Sequence, residues 1–299
     1  MDAVVTHQLH KSYGPREVLH GIGLRIPTGS LFGFLGPNGA GKTTTIRILV
    51  GLLKPSQGQA VVLGQDSWRE GTRLRAHVGY LPGDVRFYPH LTGRQTLRFL
   101  DAVRGAGSNG EIKRLAAAFD LDLNKRVRDY SRGMKQKLGL IQALMHRPTL
   151  LILDEPTVSL DPLVRETLWV EIRRAAGEGR TVLFSSHTLS EVERLCDWVG
   201  ILRDGCLIEQ QRIESLRIRA VRRIEVVFAA DTGPLQPLPQ GLQILPPSGG
   251  RWVANWTGPM QTLLAWLARN TVRELTIGPP DLEDLFLAYY SPESAKVEQ

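Results

Sequence analysis

The chain has 299 residues, 42% hydrophobic and 22% charged, the balance of a globular protein with room for two ordinary domains. No apolar run approaches bilayer length and no basic-then-apolar leader opens the chain, so neither a membrane span nor a secretory signal is expected. The net charge is +7, and Cys196 and Cys206 stand outside any Cys/His cluster, which points to a reducing compartment and no structural metal.

In chain order, Leu31–Leu35 is an apolar run of strand length, and Thr44–Val50 carries the pattern of a buried helix. Between them, residues 36–43 read Gly-Pro-Asn-Gly-Ala-Gly-Lys-Thr, a complete G-x-x-x-x-G-K-[ST] phosphate-binding loop. Glycines without Cβ let backbone amides close on phosphate at a helix N-terminus, where the dipole favours negative charge. The candidate nucleotide contacts are therefore Gly36, Asn38, Gly39, Gly41, Lys42, Thr43 and Thr44. Lys42 would reach the β- and γ-phosphates of a nucleoside triphosphate, and Thr43 would ligate Mg²⁺. A Gly-rich turn with a chance lysine is the bland alternative, and the strand-loop-helix context argues against it.

Further on, Thr92 and Gln95 form a capping box before Leu97–Leu100, and Gly105–Gly110 is a polar connection. Leu150–Leu153 reads as a strand buried on both faces and ends in Asp154 and Glu155. At that strand end Asp154 would hold Mg²⁺ and Glu155 would polarise an attacking water. Paired acids also solvate ordinary strand ends, but the phosphate loop earlier in the chain favours the catalytic reading. Val164–Ala176 is helical, with Gly177 and Gly179 as its stop, and Thr181–Phe184 is another buried strand. The first 210 or so residues thus alternate strands and helices, as an α/β domain does.

The character changes after about residue 215. Ile224–Phe228 and Arg251–Trp256 read as strands, 231–250 as a Pro- and Gly-rich connection, and Met260–Arg269 as a helix. Pro279–Asp281 reads as a loop, with Asp281 capping a final helix from Leu282. The division expected is 1–215 for the α/β domain and 216–299 for a small α+β appendage. Arg212, Arg217, Arg219, Arg222 and Arg223 form the densest basic run. A solvated face or linker accounts for it, lipid headgroups are an alternative, and no reader motif points to specific nucleic-acid binding.

With these motifs on the page, residues 4–210 resemble the ATP-binding subunit of ATP-binding cassette (ABC) transporters. Tyr13 matches the aromatic residue that stacks on adenine. Tyr130–Lys137 matches the signature segment, Pro156–Pro162 the loop after the second carboxylate, and His187 the switch histidine. The resemblance implies a P-loop ATPase fold, a mixed sheet core plus a helical signature subdomain. It also implies a head-to-tail homodimer in which each ATP lies between one copy's phosphate loop and the other's signature. Ser131, Gly133 and Asp161 then join the nucleotide contacts, and His187 joins Glu155 as catalytic.

Two departures from the family pattern stand out. Gly83, followed by Asp84, occupies the place of a glutamine that senses Mg²⁺, so Asp84 or water would have to substitute. Arg132 replaces a signature glycine. Gly79–Asp84 and the terminal Asp-Leu-Glu-Asp-Leu-Phe resemble the drug, antibiotic and lipid efflux subgroup. That implies an ATPase peripheral on the cytoplasmic face of the membrane, energising export through a separate integral-membrane permease. Phe87–Thr92 would be a docking surface for that permease, unless its aromatics are local core. An importer ATPase and a soluble ABC protein acting on ribosomes or chromosomes are the alternatives.

Overall fold

A computed structural model describes residues 1–105, 107–229, 237–248 and 251–281, which fall into two compact units divided between Gln210 and Gln211. The first unit opens on strands β1 (Asp2–Tyr13), β2 (Arg16–Ile22) and β3 (Arg25–Pro27). Then β4 (Leu31–Leu35) leads through the phosphate loop into α1 (Lys42–Leu49). Next come β5 (Gln57–Val62), β6 (Gln65–Asp66), α2 (Gly71–His77) and β7 (Val78–Leu81). A helical stretch holds α3 (Gly93–Arg104), α4 (Asn109–Ala118) and α5 (Arg132–Leu144). The chain returns to alternation with β8 (Leu150–Asp154), α6 (Pro162–Gly177), β9 (Thr181–Ser186), α7 (Leu189–Leu195), β10 (Trp198–Arg203) and β11 (Cys206–Arg212).

Two sheets share this unit. One runs β11-β10-β4-β9-β8-β7, with parallel pairing from β10 across to β7. Every residue of β4, β8 and β9 is buried, the pattern of parallel strands covered on both faces. The other sheet runs β2-β1-β5-β6 with β3 added on β1, and its pairs are antiparallel. One apolar core, including Val4, Leu24, Phe34, Ile46, Val62 and Leu183, spans both sheets and α1. Parallel order puts the C-terminal ends of β4, β8 and β9 side by side, and those ends carry the phosphate loop, Asp154 and Ser185.

The helical stretch is held by its caps and one buried ion pair. Thr92 and Gln95 complete the expected capping box on α3, with Gln95 N donating to Thr92 Oγ1 at 3.1 Å. Ser131 caps α5 by accepting from Met134 N at 3.2 Å. Arg114 on α4 donates to both oxygens of Glu171 on α6, at 2.7 and 2.6 Å, and also to Glu111. Glu171 is buried, so the fork of Arg114 fixes α4 against α6.

The second unit comprises α8 (Ile213–Arg219), β12 (Val221–Phe228), β13 (Leu242–Ser248), β14 (Arg251–Trp256), α9 (Met260–Leu267) and β15 (Val272–Asp281). Its strands make an antiparallel sheet in the order β13-β14-β12-β15. Leu263 and Leu267 of α9 bury Ile224, Val226 and Trp256 of the sheet. Two proline-containing stretches read as loops from sequence are strands here, Leu242–Ser248 and the end of Val272–Asp281. Both lie at the edges of the sheet, where a missing N–H costs no ladder bond. Pro234 and the helix expected after Asp281 lie outside the described residues.

Removing Arg114 tests the α4–α6 brace, since it strands a buried carboxylate. Arg114→Ala should cost roughly 1–3 kcal/mol in urea unfolding, less than the full loss of a deeply buried pair because Arg114 is partly exposed. The hydrogen bond from Arg114 holds the Glu111 carboxyl below its ordinary value of 4.5. Its contribution is therefore present above that value and is lost as pH falls through the lower, folded-state one. An acid titration of stability should accordingly be shallower in Arg114→Ala than in the wild type.

Candidate functional site

The phosphate loop keeps its shape through two close approaches. Gly41 caps α1 at φ +106°, and a Cβ there would lie 2.6 Å from Leu19 Cδ2. A Cβ on Gly36 would come within 2.4 Å of the Leu202 carbonyl oxygen, so only glycine lets the loop pack on β10. Lys42 Nζ donates to the carbonyls of Gly36 and Pro37, which folds its side chain back under the loop. A cavity of 260 Å³ is lined by Asn38, Gly39, Gly41, Lys42, Thr43, Thr44 and Glu155, together with Val18.

Of the two carboxylates expected at the end of β8, Glu155 lines this cavity and Asp154 is buried against Thr43, which also lines it. Asp154 is fully buried, and both its oxygens accept hydrogen bonds, Oδ2 from Thr43 Oγ1 at 2.8 Å and Oδ1 from Ser185 Oγ at 2.7 Å. Ser185 Oγ in turn accepts from Glu155 N at 3.0 Å. Glu155 holds a left-handed backbone, φ +49°, a conformation costly for a side chain with a Cβ. That turn swings its carboxylate between two partners: Oε2 lies 2.8 Å from His187 Nδ1 and Oε1 lies 3.1 Å from Lys42 Nζ. The Lys42 contact is an ion pair without hydrogen-bond alignment, which leaves Oε1 a buried acceptor with no donor. Such an oxygen can take a proton from a water that enters.

The structure thus brings Lys42, Thr43, Asp154, Glu155 and His187 together. Ser185 was not singled out from sequence; its signal was a polar residue ending an apolar strand. Gly83 lies beside Asp154 but outside the phosphate cavity, and a Cβ there would stand in ordinary contact, 3.7 Å, with Asp154 Oδ2. Asp84 does not take its place: its carboxylate is exposed and paired with Arg86 at 2.8 Å. Tyr13, 48% exposed, ends β1, and the Lys11 ammonium lies 5.2 Å from its ring centre.

Ser131, Gly133 and Asp161 do not line the phosphate cavity of their own chain. Asp161 caps α6 by accepting from Val164 N at 3.0 Å. The signature and the loop after Glu155 nevertheless touch. Gln136 donates to the Pro156 carbonyl at 3.0 Å, and a Cβ on Gly133 would stand 3.0 Å from the Ser159 carbonyl. Arg132, exposed at the first turn of α5, shares a second cavity of 310 Å³ with Gly83, Arg86 and Lys135.

A larger groove of 520 Å³ lies between α2, α3 and the segment after β7. Its walls include Tyr88, 57% exposed and edge-on to Phe99 with ring centres 6.3 Å apart. Phe87 is half-buried in the same wall. Of the two aromatics expected to offer contacts, Tyr88 is the one that stands in solvent.

Comparison with known proteins agrees with this geometry. The family model described as ABC transporter matches residues 19–158. The bacitracin transport ATP-binding protein BcrA of Bacillus licheniformis is 37% identical over 225 residues, 74% of this chain and 74% of that protein. The chain belongs to this family of ABC transporter ATP-binding proteins. The probable multidrug ABC transporter ATP-binding protein YbhF of Escherichia coli (strain K12) is 37% identical over 218 residues, 71% of this chain but 38% of that longer protein. Among solved structures, an ATP binding subunit of an ABC transporter superposes with a TM-score of 0.67 at 30% identity, covering 72% of this chain and 92% of that one.

Gly41→Ala combines a forbidden φ with a clash against Leu19. It should lower stability by about 1–3 kcal/mol and weaken binding of a fluorescent ATP analogue. Gly83→Ala, by contrast, has room for its methyl and should leave the melting temperature within about 1–2 °C of wild type.

Proposed function

We propose that this chain binds and hydrolyses ATP with Mg²⁺, and so energises export of a solute through a separate membrane permease. The observation that carries the reading is the position of Glu155. It sits at the mouth of a phosphate loop, between Lys42 and His187, with one buried oxygen free to accept. In this reading Lys42 turns from Glu155 to the incoming phosphates, and Glu155 takes the proton of the attacking water. His187 holds the carboxylate and water in line. The hydroxyl of Thr43 and the carboxylate of Asp154, 2.8 Å apart, are hard oxygen donors that suit Mg²⁺. When bound, the ion would offset charge on the phosphates.

The finer parts of the reading rest on family and surface. Ser131 and Gly133 are absent from their own chain's phosphate cavity. Supply of these residues by a second copy, head to tail, gives the signature helix N-terminus a γ-phosphate to cap. Among the described residues no helix is long and apolar enough to cross a membrane, so a permease would be a separate chain or segment. The exposed Tyr88–Phe99 wall offers it anchoring contacts. Names of similar proteins favour export: one is a linearmycin resistance ATP-binding protein of Bacillus subtilis, 37% identical over 206 residues. With such a partner the chain would work at the cytoplasmic face of the membrane.

Glu155→Gln, measured with the permease present, should lower ATP hydrolysis by roughly 10²–10⁴-fold while retaining ATP affinity. The same variant should accumulate as an ATP-dependent dimer on size-exclusion chromatography. Hydrolysis-coupled transport that continued in Glu155→Gln vesicles would falsify the assignment of the base.

A further inference from the structure

Tyr13 ends β1 as an exposed ring, and a cation is fixed against it. The Lys11 ammonium lies 5.2 Å from the ring centre, inside the roughly 6 Å over which an aromatic quadrupole attracts a cation. The same ammonium donates to the Lys54 carbonyl at 2.9 Å. A strand-end lysine ordinarily keeps its head in water. This one is tied down between a backbone dipole and a ring.

The tether is firm because its anchor is laced to β1. Ser56 N donates to the His10 carbonyl at 2.9 Å, and Ser12 N donates to Ser56 Oγ at 2.9 Å. Residues 54–56 are thereby held to the strand that carries Tyr13. Glu17, paired with Ser12 across the hairpin, is engaged by His10 at 2.8 Å and by His20 at 3.3 Å, so its carboxylate does not draw Lys11 from the ring. The hairpin also borders the nucleotide site. Its register slips between Lys11 and Ser12, which face Leu19 and Glu17 in turn, and the residue left over, Val18, lines the phosphate cavity. Tyr13 therefore stands on an element that walls that cavity. With the ammonium over one face of the ring, the opposite face is the one left to a ligand.

We propose that Lys11 is a positioning residue for the nucleobase: its tethered ammonium covers one face of Tyr13 and fixes the ring, so that the other face meets the base already oriented. The proposal rests on the reading that Tyr13 stacks on the base of bound ATP. Stacking on a ring that rotates freely costs the rotamer freedom of that ring, and holding the ring beforehand removes the cost. The cation also draws π density toward itself, which favours an electron-rich base on the far side. A charge acting only at long range would instead attract any polyphosphate, with or without a base. The two roles therefore differ in the ligand they depend on.

Calorimetry on the full chain, with ATP and with inorganic tripolyphosphate, separates them. Lys11→Gln keeps a donor for the Lys54 carbonyl but loses the charge. It should weaken ATP binding about two- to tenfold and leave tripolyphosphate binding at the wild-type level. Lys11→Arg, whose guanidinium also lies against aromatic faces, should keep the wild-type affinity for ATP. In a Tyr13→Ala background, Lys11→Gln should cost nothing further. Melting temperatures check the fold of each variant, and tripolyphosphate binding checks the phosphate loop itself. Equal losses for ATP and tripolyphosphate, an undiminished ATP affinity in Lys11→Gln, or the same loss with and without the ring each overturn the inference. Full ATP affinity in Tyr13→Ala defeats the stacking reading beneath it, and a wild-type chain that binds neither ligand defeats the ATP-binding reading itself.

Discussion

The carboxylate of Asp154 is the point on which the first unit turns. It is wholly enclosed, and an enclosed charge is tolerated only when its lone pairs are matched. Thr43 and Ser185 match them, one from the start of α1 and one from the end of β9. Three segments remote in sequence are thereby pinned at one corner of the parallel sheet. Ser185 extends the same constraint to the amide of Glu155, and so helps hold the left-handed turn at that residue. The strain of that turn is sustained because the surrounding bonds over-determine it. A helix or strand continuing through Glu155 would aim its carboxylate away from both Lys42 and His187.

The phosphate loop and the acid pair were legible in the sequence because local rules place them, whereas His187 was legible only through the family resemblance. Glycine spacing and an apolar strand ending in acids each act over a few positions. Parallel order then does the assembling, since strand ends in a parallel sheet meet on one side. The buried strands 31–35, 150–154 and 181–186 and the capping box at Thr92 were legible for the same reason. What stayed hidden depends on neighbours. Prolines argued against strands at 242–248 and 279–281, and only the edge position of those strands, a property of the finished sheet, makes the prolines harmless. The antiparallel sheet built from β1, β2 and β5 was hidden too. Its strands are half-solvated and polar on one face, so their apolar runs are broken. The role of Ser185 required knowing which strand lies beside β8.

The departures at Gly83 and Arg132 take on physical meaning from where they sit. Gly83 brings no side chain to the Asp154 carboxylate beside it, while Asp84 is paired with Arg86. The position therefore contributes backbone alone, with no side chain aimed at Asp154. Arg132 adds a cation to the exposed first turn of α5, next to the cap that Ser131 provides. Both positions line the same 310 Å³ cavity, so both departures bear on a single surface. That surface adjoins the loop after Glu155 through Gln136 and Ser159.

Two clusters of cations in this unit differ in how their charge is met. Lys42 is paired with Glu155, so the phosphate loop carries its own counter-charge. Arg75 and Arg104 have only carbonyls, a hydroxyl and a neutral imidazole. Dipoles fix the direction of a guanidinium but do not cancel its field. The lysine at the end of the sheet is thus met by a carboxylate, whereas the two arginines near α3 are oriented only by neutral dipoles, and Arg114 is met twice over by Glu111 and the buried Glu171.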